Sequence, residues 1–270
     1  MENELITANS RELATELTSY DTKMLGVFEY LGLPNDNILV KVDERRKVFK
    51  NIEDVLELLS SDTLANSIYI SKFLSAVSAG LFDAALNYLW DETVSQLRFR
   101  VSQYDIQYFY DLAVTSDKRN KLSTEEDLVK IDDSELIQGA KEIGLISDIG
   151  YRLLDNIKFM RNWASAAHPN QNELTGLQLI EWLETCIREV ISLPLSNLTI
   201  QIGKLLRNIK TNILDEAEAQ TISNFFCELT SEKANSLCNG FFGIYCRPDT
   251  TSDTKRNIKL LLPEFMGFSR

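Results

Sequence analysis

Residues 69–101 read YISKFLSAVSAGLFDAALNYLWDETVSQLRFRV, with no proline and one interior turn signal, Gly80. Leu86, Trp90, Thr93, Leu97 and Val101 recur every three or four positions, which lays a single stripe of packing groups along one side of a helix. The spacing predicts one long helix, or two segments meeting at Gly80.

Working outward, the helical period continues. YDIQYFYDLAV (104–114) is short and aromatic, and its flanks leave helix and strand both open. TSDKRNKL (115–122) reads as a charged loop. Ser123 with Glu126, and then Asp132 with Glu135, stand at capping-box spacing, and each pair is expected to open a helix, the second stopping near Gly144. SDIGYRLLDNIKFMRNWASAAHPN (147–170) is expected to be helical, with Ile149, Leu153, Ile157 and Met160 on its buried side and Pro169 ending it. TGLQLIEWLETCIREVI (175–191) places Leu177, Ile180, Leu183, Ile187 and Val190 on one helical line, closed by Pro194. Further helices are expected near 197–212, 216–229 and 232–245, and CRPDTTSDTKRN (246–257) reads as loop. Toward the N-terminus, NIEDVLELL is helical in pattern. LGLPNDNILVKV (31–42) combines a Pro-Asn-Asp-Asn turn with a β-like run.

The expected fold class is therefore all-α, with one short strand pair allowed near residues 37–43. The expected organisation is an N-terminal helical appendage over 1–65, a helical bundle over 66–193 and a C-terminal helical segment over 194–270. Of the 270 residues, 44% are apolar and 25% charged, with 11 Gly and 5 Pro, which excludes wholesale disorder and low-complexity architecture. A net charge of −12 opposes a broad electrostatic grip on DNA or RNA, so nucleic-acid chemistry would need a small local site. Cys186, Cys227, Cys238 and Cys246 form no C-x-x-C pair, and with one histidine in the chain no Cys/His metal site and no cofactor are expected. The polar, acidic start lacks signal-peptide character, and no apolar run nears the roughly 18 residues that span a bilayer. A soluble, cytoplasmic protein with reduced thiols is the expectation.

Phosphate-binding glycine loops, H-E-x-x-H and G-x-S-x-G are all missing. The acidic pairs Glu125–Glu126 and Asp132–Asp133 are read as helix starts, where negative charge complements the macrodipole. One constellation remains: Arg161, Asn162 and His168 in RNWASAAH. Arg161 follows Leu154 by seven residues and Ile157 by four, so it sits on or beside the buried stripe, where a guanidinium needs a partner or a ligand. The chain's one histidine stands immediately before a proline at the expected helix end.

RNWASAAHP, with six residues between Arg161 and His168 and a polar residue directly after the arginine, resembles the R-x(4–6)-H motif of the HEPN superfamily. The upstream AGLFDAALNYLWDETVSQLR is similar to the first long helix of those domains, and the helix after the motif is in the corresponding place. The resemblance covers about residues 66–193 and implies a HEPN-like antiparallel helical bundle. It implies metal-independent endoribonuclease activity by 2′-OH transesterification, of the abortive-infection or toxin–antitoxin kind, with RNA, such as a tRNA loop, as partner. His168 would then move protons and Arg161 would stabilise charge on the phosphate. Asn162 would position the substrate, and Asp91, Glu92 and Lys158 would surround these groups. A solvated helix face is the alternative for Asp91 and Glu92.

Transesterification needs one group to accept a proton and another to donate one, and a single histidine per chain cannot supply both. A homodimer, or a pairing with a second HEPN subunit, is expected for that reason. Lys118, Arg119 and Lys121 would be loop cations folding over the site, or plain solubilising charge. Tyr104, Tyr108, Phe109 and Tyr110 are read as core packing in preference to a base-stacking platform. Two competing expectations stand beside the nuclease. One is a catalytically silent HEPN-like interaction or nucleotide-sensing module. The other is an unrelated helical protein in which Asp155 or Glu184 satisfies Arg161.

Overall fold

The computed structural model describes residues 10–164, 173–193, 197–226 and 229–267. Among them every regular element is helical, so the chain is all-α. The α-helices are α1 (Ser10–Tyr30), α2 (Val42–Leu56), α3 (Ser61–Asn66), α4 (Ile68–Ser78), α5 (Phe82–Ser102), α6 (Ile106–Ala113) and α7 (Ser116–Arg119). They continue as α8 (Asp133–Glu142), α9 (Asp148–Ala164), α10 (Gly176–Cys186), α11 (Asn197–Thr211), α12 (Glu216–Phe226), α13 (Ser231–Cys246) and α14 (Ser252–Gly267). A 3-10 segment covers Glu125–Lys130, and a π-helical segment, Ile187–Ile191, extends α10.

The contacts form two compact units: Met1–Leu97 with Ile146–Leu193, and Arg98–Leu145 with Pro194–Arg270. Residues of 1–65 belong with the first unit because α2 packs along α10, and 98–145 belong with the C-terminal segment because α6 packs on α13.

In the first unit the break at Gly80 is real. Gly80 has φ 75°, and a Cβ there would lie 3.2 Å from the Arg45 guanidinium carbon, Leu39 Cβ and Val40 N, so both the turn and the close approach call for glycine. The stripe read from the sequence is buried throughout: Leu86, Trp90, Thr93, Leu97 and Val101. The strand pair near 37–43 is not present. Val40 N–H donates to Gly80 O at 2.9 Å, and Val40 O accepts from Arg45 Nε at 2.9 Å, which leaves that residue nothing with which to pair another strand. Arg45 is fully buried; it also donates to Ser78 O at 3.0 Å and forms an ion pair with Asp21 of α1. One guanidinium thus ties α1, the 31–41 loop and the end of α4 to α2.

The joint between α2 and α10 is closer still. Thr175 and Gln178 form a capping box at the start of α10, and the Gly176 N–H donates to Glu44 Oε2 at 2.9 Å. The Lys47 ammonium, hydrogen-bonded at 2.5 Å, and then this N–H hold the Glu44 carboxyl below its ordinary value of 4.5. A lowered folded value means stabilisation that is present above the ordinary value and lost as pH falls through the folded one. Glu44→Gln should therefore flatten the decline of Tm between about pH 5 and about pH 3, read by circular dichroism melts.

One cap differs from the sequence expectation. The pair Asp132–Glu135 caps α8 as expected, but the upstream box is Thr124 with Asp127, one residue later than Ser123 with Glu126, and it opens a 3-10 segment. In the second unit Asp105 caps α6 by accepting from Tyr108 N at 2.9 Å, which resolves the aromatic stretch as helix. Tyr108, Phe109 and Tyr110 are core residues, and burial raises the Tyr104 and Tyr108 hydroxyls above their usual range.

The segment read as loop after residue 245 contains a helix, α14, from Ser252. Thr251 Oγ1 accepts from Thr254 N at 3.2 Å to start it, and its buried line is Thr254, Asn257, Ile258 and Leu261. That line begins with two polar residues, so no apolar period announces it. Asn257 is fully buried; its Nδ2 donates to Ile209 O at 2.9 Å and Asn212 O at 2.6 Å, and its Oδ1 accepts from Leu214 N at 2.9 Å. Asn257→Ala strands three backbone groups and should cost about 3 kcal/mol or more in urea unfolding.

Candidate functional site

Arg161 projects from the last described turn of α9, a position where positive charge complements the helix dipole. Ser147 Oγ accepts from Gly150 N at 2.9 Å to start that helix. The inward line of α9 is Gly150, Leu154 and Ile157, and Arg161 is its next member, half-buried. Of the side expected from the sequence, Ile149, Leu153, Ile157 and Met160, only Ile157 is buried. Ile149 is 72% exposed and Leu153 39%, while Met160 is half-buried. Phe159 is 53% exposed and meets Trp163 with ring centroids 5.8 Å apart. The helix therefore carries apolar groups on its outer side as well, and periodicity alone does not tell the two lines apart.

The Arg161 guanidinium is held by amides. Its Nε donates to Asn87 Oδ1 of α5 at 2.7 Å, and Nη1 donates to Asn162 Oδ1 at 3.1 Å. Asn87 is itself oriented, since its Nδ2 donates to Asp83 O at 2.9 Å. That assignment is forced: a carbonyl can only accept and a guanidinium can only donate. Sequence reading missed Asn87. The signal available was its polar character at the 83–87–91 spacing, beside a stripe otherwise read for its apolar members.

The remaining residues singled out in the sequence are placed as follows. Asn162 is exposed and touches Arg161. Asp91 lies one helical turn beyond Asn87 and is half-buried, with contacts of its own. Glu92 is buried elsewhere in the packing, accepting from Gln96 Nε2 at 2.9 Å and from Ser67 Oγ at 3.4 Å. Lys158 pairs with Asp155 at 2.7 Å. His168 lies outside the described residues.

The carboxylates weighed as partners for Arg161 are engaged with other cations: Asp155 with Lys158, and Glu184 with Arg188 at 2.7 Å. Lys118 and Arg119 are likewise occupied within their own unit, by Glu135 and Asp111. Their stretch is partly helical, as α7. Cys186 is buried beside Thr93, and burial pushes its thiol up to about 12, too high for a thiolate at neutral pH.

Among the described residues no group of three or more His, Cys, Asp or Glu side chains is placed to hold a metal ion. No helix among them is long and apolar enough to cross a membrane. What the arrangement can do chemically is bind an anion: a fixed, half-exposed guanidinium whose hydrogen-bond partners are neutral retains its full charge for a ligand. No family model, curated protein or solved structure matches the chain.

Proposed function

We propose that this chain is a metal-independent endoribonuclease of the HEPN kind, acting in phage defence or a toxin–antitoxin pair. The observation that carries this reading is the Arg161 guanidinium, whose hydrogen-bond partners among the described residues are the amide oxygens of Asn87 and Asn162. These described partners are uncharged, although the chain has 40 acidic residues. Neutral anchors fix the fork and leave its charge for a phosphodiester.

In the proposed reaction the ribose 2′-oxygen attacks the adjacent phosphorus and the 5′-oxygen leaves. His168 of one copy takes the 2′-OH proton, and His168 of a second copy donates a proton to the leaving oxygen. Arg161 stabilises the charge that builds on the non-bridging oxygens between these events. The products are a 2′,3′-cyclic phosphate and a free 5′-hydroxyl. Two copies are required because each chain has one histidine.

The test uses unsubstituted protein and His168→Ala, each incubated with total RNA in chelator. Cleavage by the former alone, with cyclic phosphate ends, is the expected result. Intact RNA in both reactions, or equal cutting by both proteins, overturns the reading. Light scattering at micromolar concentration should give twice the chain mass of 30.8 kDa, and full activity from a monomer would remove the composite site.

A further inference from the structure

Two cations of the first unit are anchored on consecutive residues of α5. Arg161 is held by Asn87, and the Lys72 ammonium lies 5.6 Å from the ring centroid of Tyr88. Lys72 also lies 5.1 Å from the ring centroid of Tyr69, one turn back on α4. Lys72 is exposed, and Tyr69 and Tyr88 are half-buried, so all three side chains reach solvent. The ammonium thus rests against aromatic faces, which attract it through the ring quadrupole and do not neutralise it.

Among the described residues both cations therefore have neutral partners, amide oxygens in one case and aromatic rings in the other, in a chain whose net charge is −12. A single nucleic-acid strand offers the matching chemistry, since it carries a phosphate at every step and bases whose flat faces are free to stack. A duplex offers phosphates but keeps its base faces covered.

We infer that Tyr69, Lys72 and Tyr88 form a nucleotide subsite of the first unit, in which Lys72 takes a phosphate of the bound strand and a base stacks on the tyrosines. The inference rests on the nuclease reading for the bound strand being RNA, and it restricts that strand to unpaired RNA. Tyr88 and Lys72 bind and position; they do not touch the reacting atoms.

The test is fluorescence anisotropy with a labelled ten-nucleotide single-stranded RNA, using the full chain with His168→Ala so that the probe stays whole. Adding Lys72→Gln should weaken binding about fivefold and make it less sensitive to salt. Adding Tyr88→Leu should weaken binding about tenfold, while Tyr88→Phe, which keeps the ring, should bind as the parent. A duplex of equal length should compete poorly. Melting curves check each fold, and Lys72→Gln, an exposed change, carries the test if Tyr88→Leu fails to fold.

Parent-like binding by Lys72→Gln, or equal competition by the duplex, overturns the subsite. The two proposals fail separately. If the unsubstituted chain leaves total RNA intact while Lys72→Gln still weakens binding, the nuclease falls and the subsite stands. If the chain cuts RNA and neither substitution changes binding, the subsite falls and the nuclease stands.

Discussion

Arg161→Ala should lower RNA cleavage roughly 10²–10³-fold, the usual cost of removing one preorganised donor from a developing oxyanion. The loss should fall on kcat more than on KM, because in the proposed reaction the guanidinium is needed most when charge accumulates on the non-bridging oxygens. Stability should change little. Arg161 is half-exposed and its removal frees two amide oxygens near solvent, whereas a buried ion pair would leave a stranded carboxylate. Arg161→Lys should recover part of the activity: it restores the charge but has neither the planar fork nor an Nε to meet Asn87 Oδ1. Asn87→Ala should fall between the two, with its defect in positioning. Single-turnover cleavage with saturating enzyme checks all three, and parent-like turnover by Arg161→Ala would remove the proposed role.

The second large effect is structural. Gly176→Ala should destabilise the first unit by about 3 kcal/mol, and by more if the α2–α10 joint cannot open. The new Cβ would overlap the Glu44 carbonyl of α2 and lie 3.0 Å from Lys47 Cβ. A carbonyl within a helix cannot swing aside as a flexible side chain does, so relief must come from moving one helix against the other. That shift would also lengthen the bond from Gly176 N–H to Glu44. The intrinsic preference of a helix for alanine over glycine, about 1 kcal/mol, works in the opposite direction and does not offset the overlap. Urea unfolding with the slope held constant measures the difference. A change under 1 kcal/mol would mean the joint tolerates separation.

How legible all this was depended on whether a signal was local and apolar. The Leu86–Trp90–Thr93–Leu97–Val101 stripe and the Asp132–Glu135 cap could be read directly, because spacing and residue type agree there. On α9 the spacing was right and the face was not, since Ile149 and Leu153 repeat as regularly as Leu154 and Ile157. Periodicity cannot choose between two apolar lines on one helix. The helix α14 was missed because its packing face opens with Thr254 and Asn257. Arg45 and Asn87 act through partners far along the chain, Asp21 and Ser78 for one and Arg161 for the other, and no single-sequence pattern encodes such pairings. The aromatic run Tyr108–Phe109–Tyr110 did read as core, and it is.

Each of the two units is assembled from stretches that are not neighbours along the chain. During synthesis the ribosome therefore releases α6, α7 and α8 well before α13, the helix against which α6 packs. Until then Tyr108, whose ring lies against Gly240 of α13, must wait with that face uncovered, a period in which chaperone capture or aggregation competes with folding. Expression pieces cut after Leu193 would freeze the chain in that condition, so shortened versions should be recovered as insoluble material even though every helix of the first unit is retained.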